Sequence, residues 1–244
     1  MQNRRSNNQA GFSLLELIFG MVITITVMGL ASAILAGAFN VRSREDRKSE
    51  GIADVQRALN IMTREISNSG LKIPSDLDKV STNGVVGGDS DNTSIRIVSN
   101  LNGLPDSANG YFEDGDLDDT DEDVKFLMYV DEALGQRYIV RYEKNGSNQT
   151  TVLANRIDSL IFRYFDEKVT YDTTVDADGV VDITNVKNAA GDEEVEVSAG
   201  SAKFIVIAVG VTLPAVGTAG AEGYQPPSQV QLTSDVVLRN SIVY

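Results

Sequence analysis

Glu16 is the only charged residue between Gly11 and Arg42. The stretch from Leu17 to Phe39 is uncharged; its 23 residues reach about 34 Å as a helix, enough to cross a bilayer. A carboxylate at the edge of such a segment is costly and needs a reason. A second set of acids alternates at Asp114, Asp116 and Asp118 and continues through Asp119, Asp121, Glu122 and Asp123. Alternating oxygen ligands are what a calcium loop needs, because the backbone must curl several carboxylates around a hard cation. The helix-loop-helix calcium pattern fails here: its sixth position requires Gly and holds Asp119, and its twelfth requires Glu and holds Lys125. Asp176-Ala177-Asp178-Gly179 with Asp182 is a shorter candidate. A solvated acidic loop with diffuse counter-ions is the favoured reading of both, which leaves calcium at Asp114, Asp116 and Asp118 as a candidate and no other cofactor expected.

Composition excludes several chemistries. With no His and no Cys there is no Ser-His or Cys-His nucleophile and no zinc site built on the usual ligands. Carboxylate pairs occur throughout a chain with 35 acidic residues, so none of them marks catalysis, and an enzyme is not expected. The formal net charge of −14 repels phosphate backbones, so direct nucleic-acid binding is not expected either. Without cysteine there is no disulfide staple, and the core alone must hold the domain together.

The elements that position these residues follow from periodicity. Beyond the apolar run, Ile52, Val55, Leu59, Met62 and Ile66 recur at steps of three and four, one stripe of a helix, while Asp54, Arg57, Arg64 and Glu65 take the other faces. Ser67-Asn68-Ser69-Gly70 supplies a stop, with Gly70 suited to a left-handed cap and Pro74 soon after. The spacing predicts one helix from Ser13 to Ser69, about 85 Å long. Gly20, Gly29, Gly37 and Gly51 weaken it locally in water, by up to about 1 kcal/mol each, but small residues allow close helix approach in lipid.

Residues 70–244 read as one β-rich domain, large enough to bury a core. The strand candidates are Ser94–Val98, Val124–Val130, Gln136–Tyr142, Ile157–Phe165, Phe204–Leu213 and Val230–Leu238. Phe204 to Val209 is apolar on both faces and is expected to be the most buried strand. Gly217 to Gln229 reads as a long exposed loop. The expected class is therefore α+β: a long N-terminal helix, membrane-spanning in its first half and amphipathic in its second, packed on a β-rich C-terminal domain.

Gly11-Phe12-Ser13-Leu14-Leu15-Glu16-Leu17, placed between a short leader with Arg4 and Arg5 and the apolar run, resembles the class III signal of type IV pilins and type II secretion pseudopilins. The resemblance implies that a prepilin peptidase cuts after Gly11 and that Phe12 becomes the N-methylated first residue. It also makes Glu16 the family's glutamate at the fifth mature position. Cleavage would create a positive amine four residues from the Glu16 carboxylate. A pair between Glu16 and Phe12, within one subunit or between neighbours, would offset the desolvation of both and fix axial register. The implied organisation is a leader at 1–11, a membrane and filament-core helix at 12–39, its amphipathic continuation at 40–69 and an extracytoplasmic domain at 70–244. Loss of Arg4 and Arg5 would leave 19 basic against 35 acidic side chains, −16. The family's usual mid-helix proline is absent; Ala33 stands near its place, so a kink here must come from glycine.

Asp54 to Gly70, Asn155 to Asp166 and Thr233 to Asn240 are similar to segments of PilW-like minor pilins and GspJ-type pseudopilins. That similarity implies a low-abundance subunit that helps initiate or cap a filament, and retention of Glu16 places it below the extreme tip. The partners it implies are prepilin peptidase, other major and minor pilins through the N-terminal helix, and the bacterial inner membrane before assembly, with the C-terminal domain outside the cytoplasm. Positive residues alone favour the other orientation, since Arg42, Arg44, Arg47 and Lys48 outnumber Arg4 and Arg5. Alternatives stay open: a secretory signal ending near Ala31-Ser32-Ala33, a generic single-pass anchor, a type II secretion pseudopilin, and an adhesin carried on a pilin anchor.

Overall fold

A computed structural model describes residues 13–71, 73, 81–101, 117, 119–145, 149–176, 180–213, 215–217, 219–220 and 224–241. Among the described residues one α-helix, α1, occupies Leu14–Ser67, and nine strands follow it, so the class is α+β as expected. The chain divides into two units, residues 1–46 with 216–225, and residues 47–215 with 226–244.

In the larger unit a first sheet is formed by β1 (Ser94–Val98), β2 (Asp123–Asp131), β3 (Gln136–Glu143) and β4 (Thr150–Asn155), in that order and antiparallel throughout. A second sheet has the order β5 (Ser159–Phe165), β8 (Phe204–Leu213), β9 (Ser228–Val237). β6 (Thr170–Val175) and β7 (Val181–Lys187) pair as a separate hairpin. The amphipathic half of α1 contributes Val55, Ala58, Leu59, Met62 and Ile66 to one core shared with both larger sheets. There Ile95, Phe126 and Ile139 of the first sheet join Phe162, Ile205 and Ile207 of the second. Each such side chain contributes about 1.5–3 kcal/mol by leaving water. The sequence stripe on the helix is thus the buried one, except that Ile52 is only half-buried.

β8 is buried on both faces, as its composition predicts. Ile205, Ile207, Val209 and Val211 enter the main core, while Phe204, Val206 and Ala208 enter a second cluster beneath the β6–β7 hairpin with Val181 and Ile183. The two larger sheets are joined at the turn before β1: Phe162 N donates to Asn92 O at 2.9 Å, and the Tyr164 hydroxyl donates to Asp91 O at 2.8 Å. Burial pushes the Tyr164 hydroxyl pKa up, which keeps it a donor there.

The helix stop is more elaborate than a cap. Asn68 N and Ser69 N donate to Glu65 O and Ile66 O, each at 3.1 Å, tightening the last turn, and Gly70 takes φ +78°. Asn240 then donates to the carbonyls of Asn68 (3.3 Å) and Ser69 (2.8 Å) at the helix end.

Several expected boundaries shift. The strand expected at Ile157–Phe165 begins at Ser159, because Arg156 adopts φ +56° and the chain turns between sheets before Asp158 N reaches Gly210 O at 2.8 Å. β9 starts at Ser228, so the loop expected from Gly217 to Gln229 loses its last two residues to a strand. β4, β6 and β7 were not expected from the sequence at all. β4 is mostly exposed and β6 and β7 alternate with exposed polar residues, so each becomes a strand through its partner.

Candidate functional site

The first half of α1 is apolar and exposed. Its fifteen large apolar side chains from Leu14 to Phe39 are between 51 and 78 % exposed, on every face of the helix. At about 1.5–3 kcal/mol each, covering them would contribute on the order of 20–45 kcal/mol, more than the net stability of a typical domain. The helix is long and apolar enough to cross a membrane. Both threonines in the run turn their hydroxyls back on the backbone: Thr24 Oγ1 donates to Gly20 O at 2.7 Å and Thr26 Oγ1 to Val22 O at 2.8 Å. In lipid, where no water can serve them, this is the arrangement such groups require.

Glu16 sits in the first turn, exposed. Ser13 O accepts from Glu16 N at 3.0 Å and from Leu17 N at 3.2 Å, which makes Ser13 the residue on which the helix starts. A carboxylate here faces the positive end of the helix dipole. The sequence reading missed a further point, although its signal is plain: Ser13-Leu14-Leu15-Glu16 has the Ser-x-x-Glu spacing of a capping box. That spacing, with the acid in the first turn, suits Glu16 to a local role at the helix start as well as any role toward a neighbour. Gly11 and Phe12, the expected cleavage and methylation residues, lie outside the described residues.

The far end of the run is marked by charge. Arg42 pairs with Asp46 at 4.0 Å; both side chains are more than 70 % exposed, so the pair is worth little. Arg44 donates to Gln225 Oε1, and Gln225 exchanges two backbone hydrogen bonds with Val216, both at 3.0 Å. This contact joins positions 181 apart in sequence.

Asp114, Asp116 and Asp118 also lie outside the described residues. The acids that follow them are engaged with arginines and backbone. Asp123 takes a two-pronged bond from Arg96, Nε to Oδ1 at 2.8 Å and Nη2 to Oδ2 at 2.7 Å, and Arg96 also binds Asp89. That hydrogen bond and the guanidinium charge hold the Asp89 carboxyl below the usual carboxylate range. Asp121, at φ +69°, pairs with Arg141, which reaches Glu65 of α1 at 2.9 Å and Glu143 at 3.7 Å. Glu122 is buried, with Oε1 accepting from Leu101 N at 2.8 Å. Of the shorter acidic candidate, Asp176 accepts from Val180 N at 2.8 Å and Asp182 from Arg163 at 2.6 Å; Ala177, Asp178 and Gly179 lie outside the described residues. Among the described residues no three metal-ligating side chains converge.

The described residues bring together an apolar, exposed helix with one acid in its first turn and a folded β-rich domain. Comparison with models of known protein families, with curated proteins and with solved structures finds no match.

Proposed function

We propose that this chain is a minor pilin of PilW-like character, stored in the bacterial inner membrane by its N-terminal helix and assembled into a type IV pilus through that same helix. The observation that carries the reading is a conjunction within one helix. Leu14 to Phe39 is apolar and exposed on all faces with Glu16 in the first turn, while Val55 to Ile66 is locked into the domain core. The exposed half is suited first to lipid and then to neighbouring helices, and the locked half carries the domain wherever the helix goes. Glu16 provides the axial register by pairing with the amine of Phe12 after leader removal. No catalytic step is required.

The test is the N-terminal residue of the mature protein, read by mass spectrometry. Methylated Phe12 is the expected result; an N-terminus after Ala33 would instead establish an ordinary secretory signal. A GspJ-type pseudopilin would use the helix in the same way, and the patches it shares with this chain support it equally. Deletion of the gene separates the two: loss of surface pili supports the first reading, and loss of protein secretion with intact pili supports the second.

A further inference from the structure

Resting on the reading as a filament subunit, we infer that the outer edge of β9 takes an extended segment of a neighbouring, different subunit. That segment adds to the second sheet as a further strand, held by main-chain hydrogen bonds. β9 ends its sheet, with β8 on one side and no further strand among the described residues on the other. Its ten residues pair with β8 in unbroken register, from Phe204 with Val237 to Leu213 with Ser228. Leu238 N donates to Lys203 O at 2.9 Å, so Phe204 and Val237 form a non-hydrogen-bonded pair, which fixes the alternation along the ladder. Even-numbered residues of β9 therefore turn their peptide groups toward β8. Gln229, Gln231, Thr233, Asp235 and Val237 turn theirs outward, and all five residues are exposed.

The other edges of the two larger sheets are guarded. On β1, Ser94 O accepts from Asp91 N at 2.8 Å, Arg96 O from Val86 N at 2.9 Å, and Val98 N donates to Gly84 O at 2.8 Å. On β5, Phe162 N donates to Asn92 O and Tyr164 O accepts from Val197 N, both at 2.9 Å. β4 is six residues long, and its ladder to β3 shifts register at Ile139–Val140. Short strands, bulges, lysines and prolines are the devices that keep a sheet edge from pairing. β9 has none of them: Ser228 to Val237 contains no lysine or proline, and its register does not shift. Its one charged residue, Asp235, already accepts from the Tyr171 hydroxyl of the β6–β7 hairpin at 2.6 Å.

Alternating N–H and C=O groups along ten residues, about 33 Å, are matched by another extended chain. Val230 and Leu232 pack on the main core but stay only partly buried, so the incoming strand completes their cover with apolar residues on that side. Polar residues suit its other side, beside Gln231 and Thr233, with no acid opposite Asp235. A second copy of this chain is a poor occupant, because two chains at −14 each repel.

Proline at an outward position removes one donor from this edge and spares the ladder to β8, so Thr233→Pro tests the edge alone. The melting temperature of the detergent-solubilised full-length variant should stay within about 3 °C of wild type. In sheared pili the Pro variant is expected to fall about tenfold, while Thr233→Ala, which keeps the peptide N–H, stays at the wild-type level. A Pro variant recovered at the wild-type level overturns the inference. A second measurement stands if the proline lowers stability further. Gln231 is replaced by the photo-crosslinker benzoylphenylalanine and intact cells are irradiated. An adduct with another pilus subunit supports the inference; an adduct of twice the chain mass, or none, overturns it. Absence of the wild-type chain from pili is a separate result, which removes the proposed function and the inference together.

Discussion

Gly70 and Gly84 meet backbone to backbone. A Cβ on Gly84 would lie 1.9 Å from the Gly70 nitrogen and 2.6 Å from its Cα, and a Cβ on Gly70 would lie 2.9 Å from the Asn83 carbonyl carbon. Both residues have positive φ, +78° and +76°. The crossing seats the end of α1 against the strand it must pack on: Gly70 N donates to Val98 O at 2.9 Å and Val98 N to Gly84 O at 2.8 Å.

Gly84→Ala therefore adds a clash with rigid backbone to a left-handed conformation that alone costs about 1–3 kcal/mol. A loss of more than about 3 kcal/mol is expected from denaturant unfolding of the detergent-solubilised chain. Gly88→Ala is the control. Nothing lies within 4 Å of its added Cβ, and stability should change by no more than about 1 kcal/mol in either direction.

Arg141 is the second point at which α1 is fixed. It faces the helix from β3 with a side chain only 12 % exposed, bound to Glu65, Asp121 and Glu143. Arg141→Ala leaves Glu143 buried among acids, and a cost of about 3 kcal/mol is expected, toward the low end for a broken buried pair because Glu65 is partly solvated. Arg141→Lys should recover only part of this, since an ammonium cannot fork between two carboxylates. A double-mutant cycle with Glu65→Gln should give a coupling of about 0.5–3 kcal/mol, and additive losses would show that the two do not act together.

Much of this fold is legible in the sequence, and the reason is where the apolar residues sit. β1 and β8 match their expected bounds residue for residue because each is apolar enough to identify itself. β6 reads Thr170 to Val175 with alternate residues exposed, so only its pairing with β7 makes it a strand. Arg156 breaks an otherwise strand-like run by a backbone angle that no side chain announces. Of the candidate site, the apolar run and Glu16 are plain from spacing. The contact of Arg44 with Gln225 is not, because it depends on where a long β8–β9 connection returns.

Asp89 sets an acid dependence. Its pKa is lowered in the fold by the Arg96 hydrogen bond and charge, so its contribution is fully present above the unfolded value near 3.8 and is lost as pH falls through the lower folded value. Acid unfolding of Arg96→Gln should accordingly begin from a lower stability at pH 7 and show a shallower loss below pH 4. An acid limb parallel to that of the wild type would show that the pair is not coupled to folding.

Calcium is expected to leave the melting temperature unchanged. Asp121 and Asp123, which continue the acidic run, already have arginine partners, and desolvating them a second time around a cation gains nothing. A site saturated at a hundred times its dissociation constant would add about 2.7 kcal/mol and raise the midpoint by several degrees. A rise of that kind, abolished by Asp114→Asn, Asp116→Asn and Asp118→Asn together, would overturn the expectation and establish the site.

Glu16 has two physical roles that a pair of substitutions separates. Gln serves the third position of a capping box as well as Glu does, but carries no charge. Glu16→Gln therefore preserves the helix start at Ser13 and removes any ion pair, whereas Glu16→Ala removes both. Both variants should insert in the membrane and lose their leader, while Gly11→Ala should keep the mass of the full precursor. If the carboxylate pairs with the Phe12 amine, both Glu16 variants should fall about tenfold in sheared pili, the change expected for a coupling near 1.4 kcal/mol. Recovery of the Gln variant at wild-type level, with the Ala variant depleted, would leave Glu16 a capping residue and refute its part in assembly.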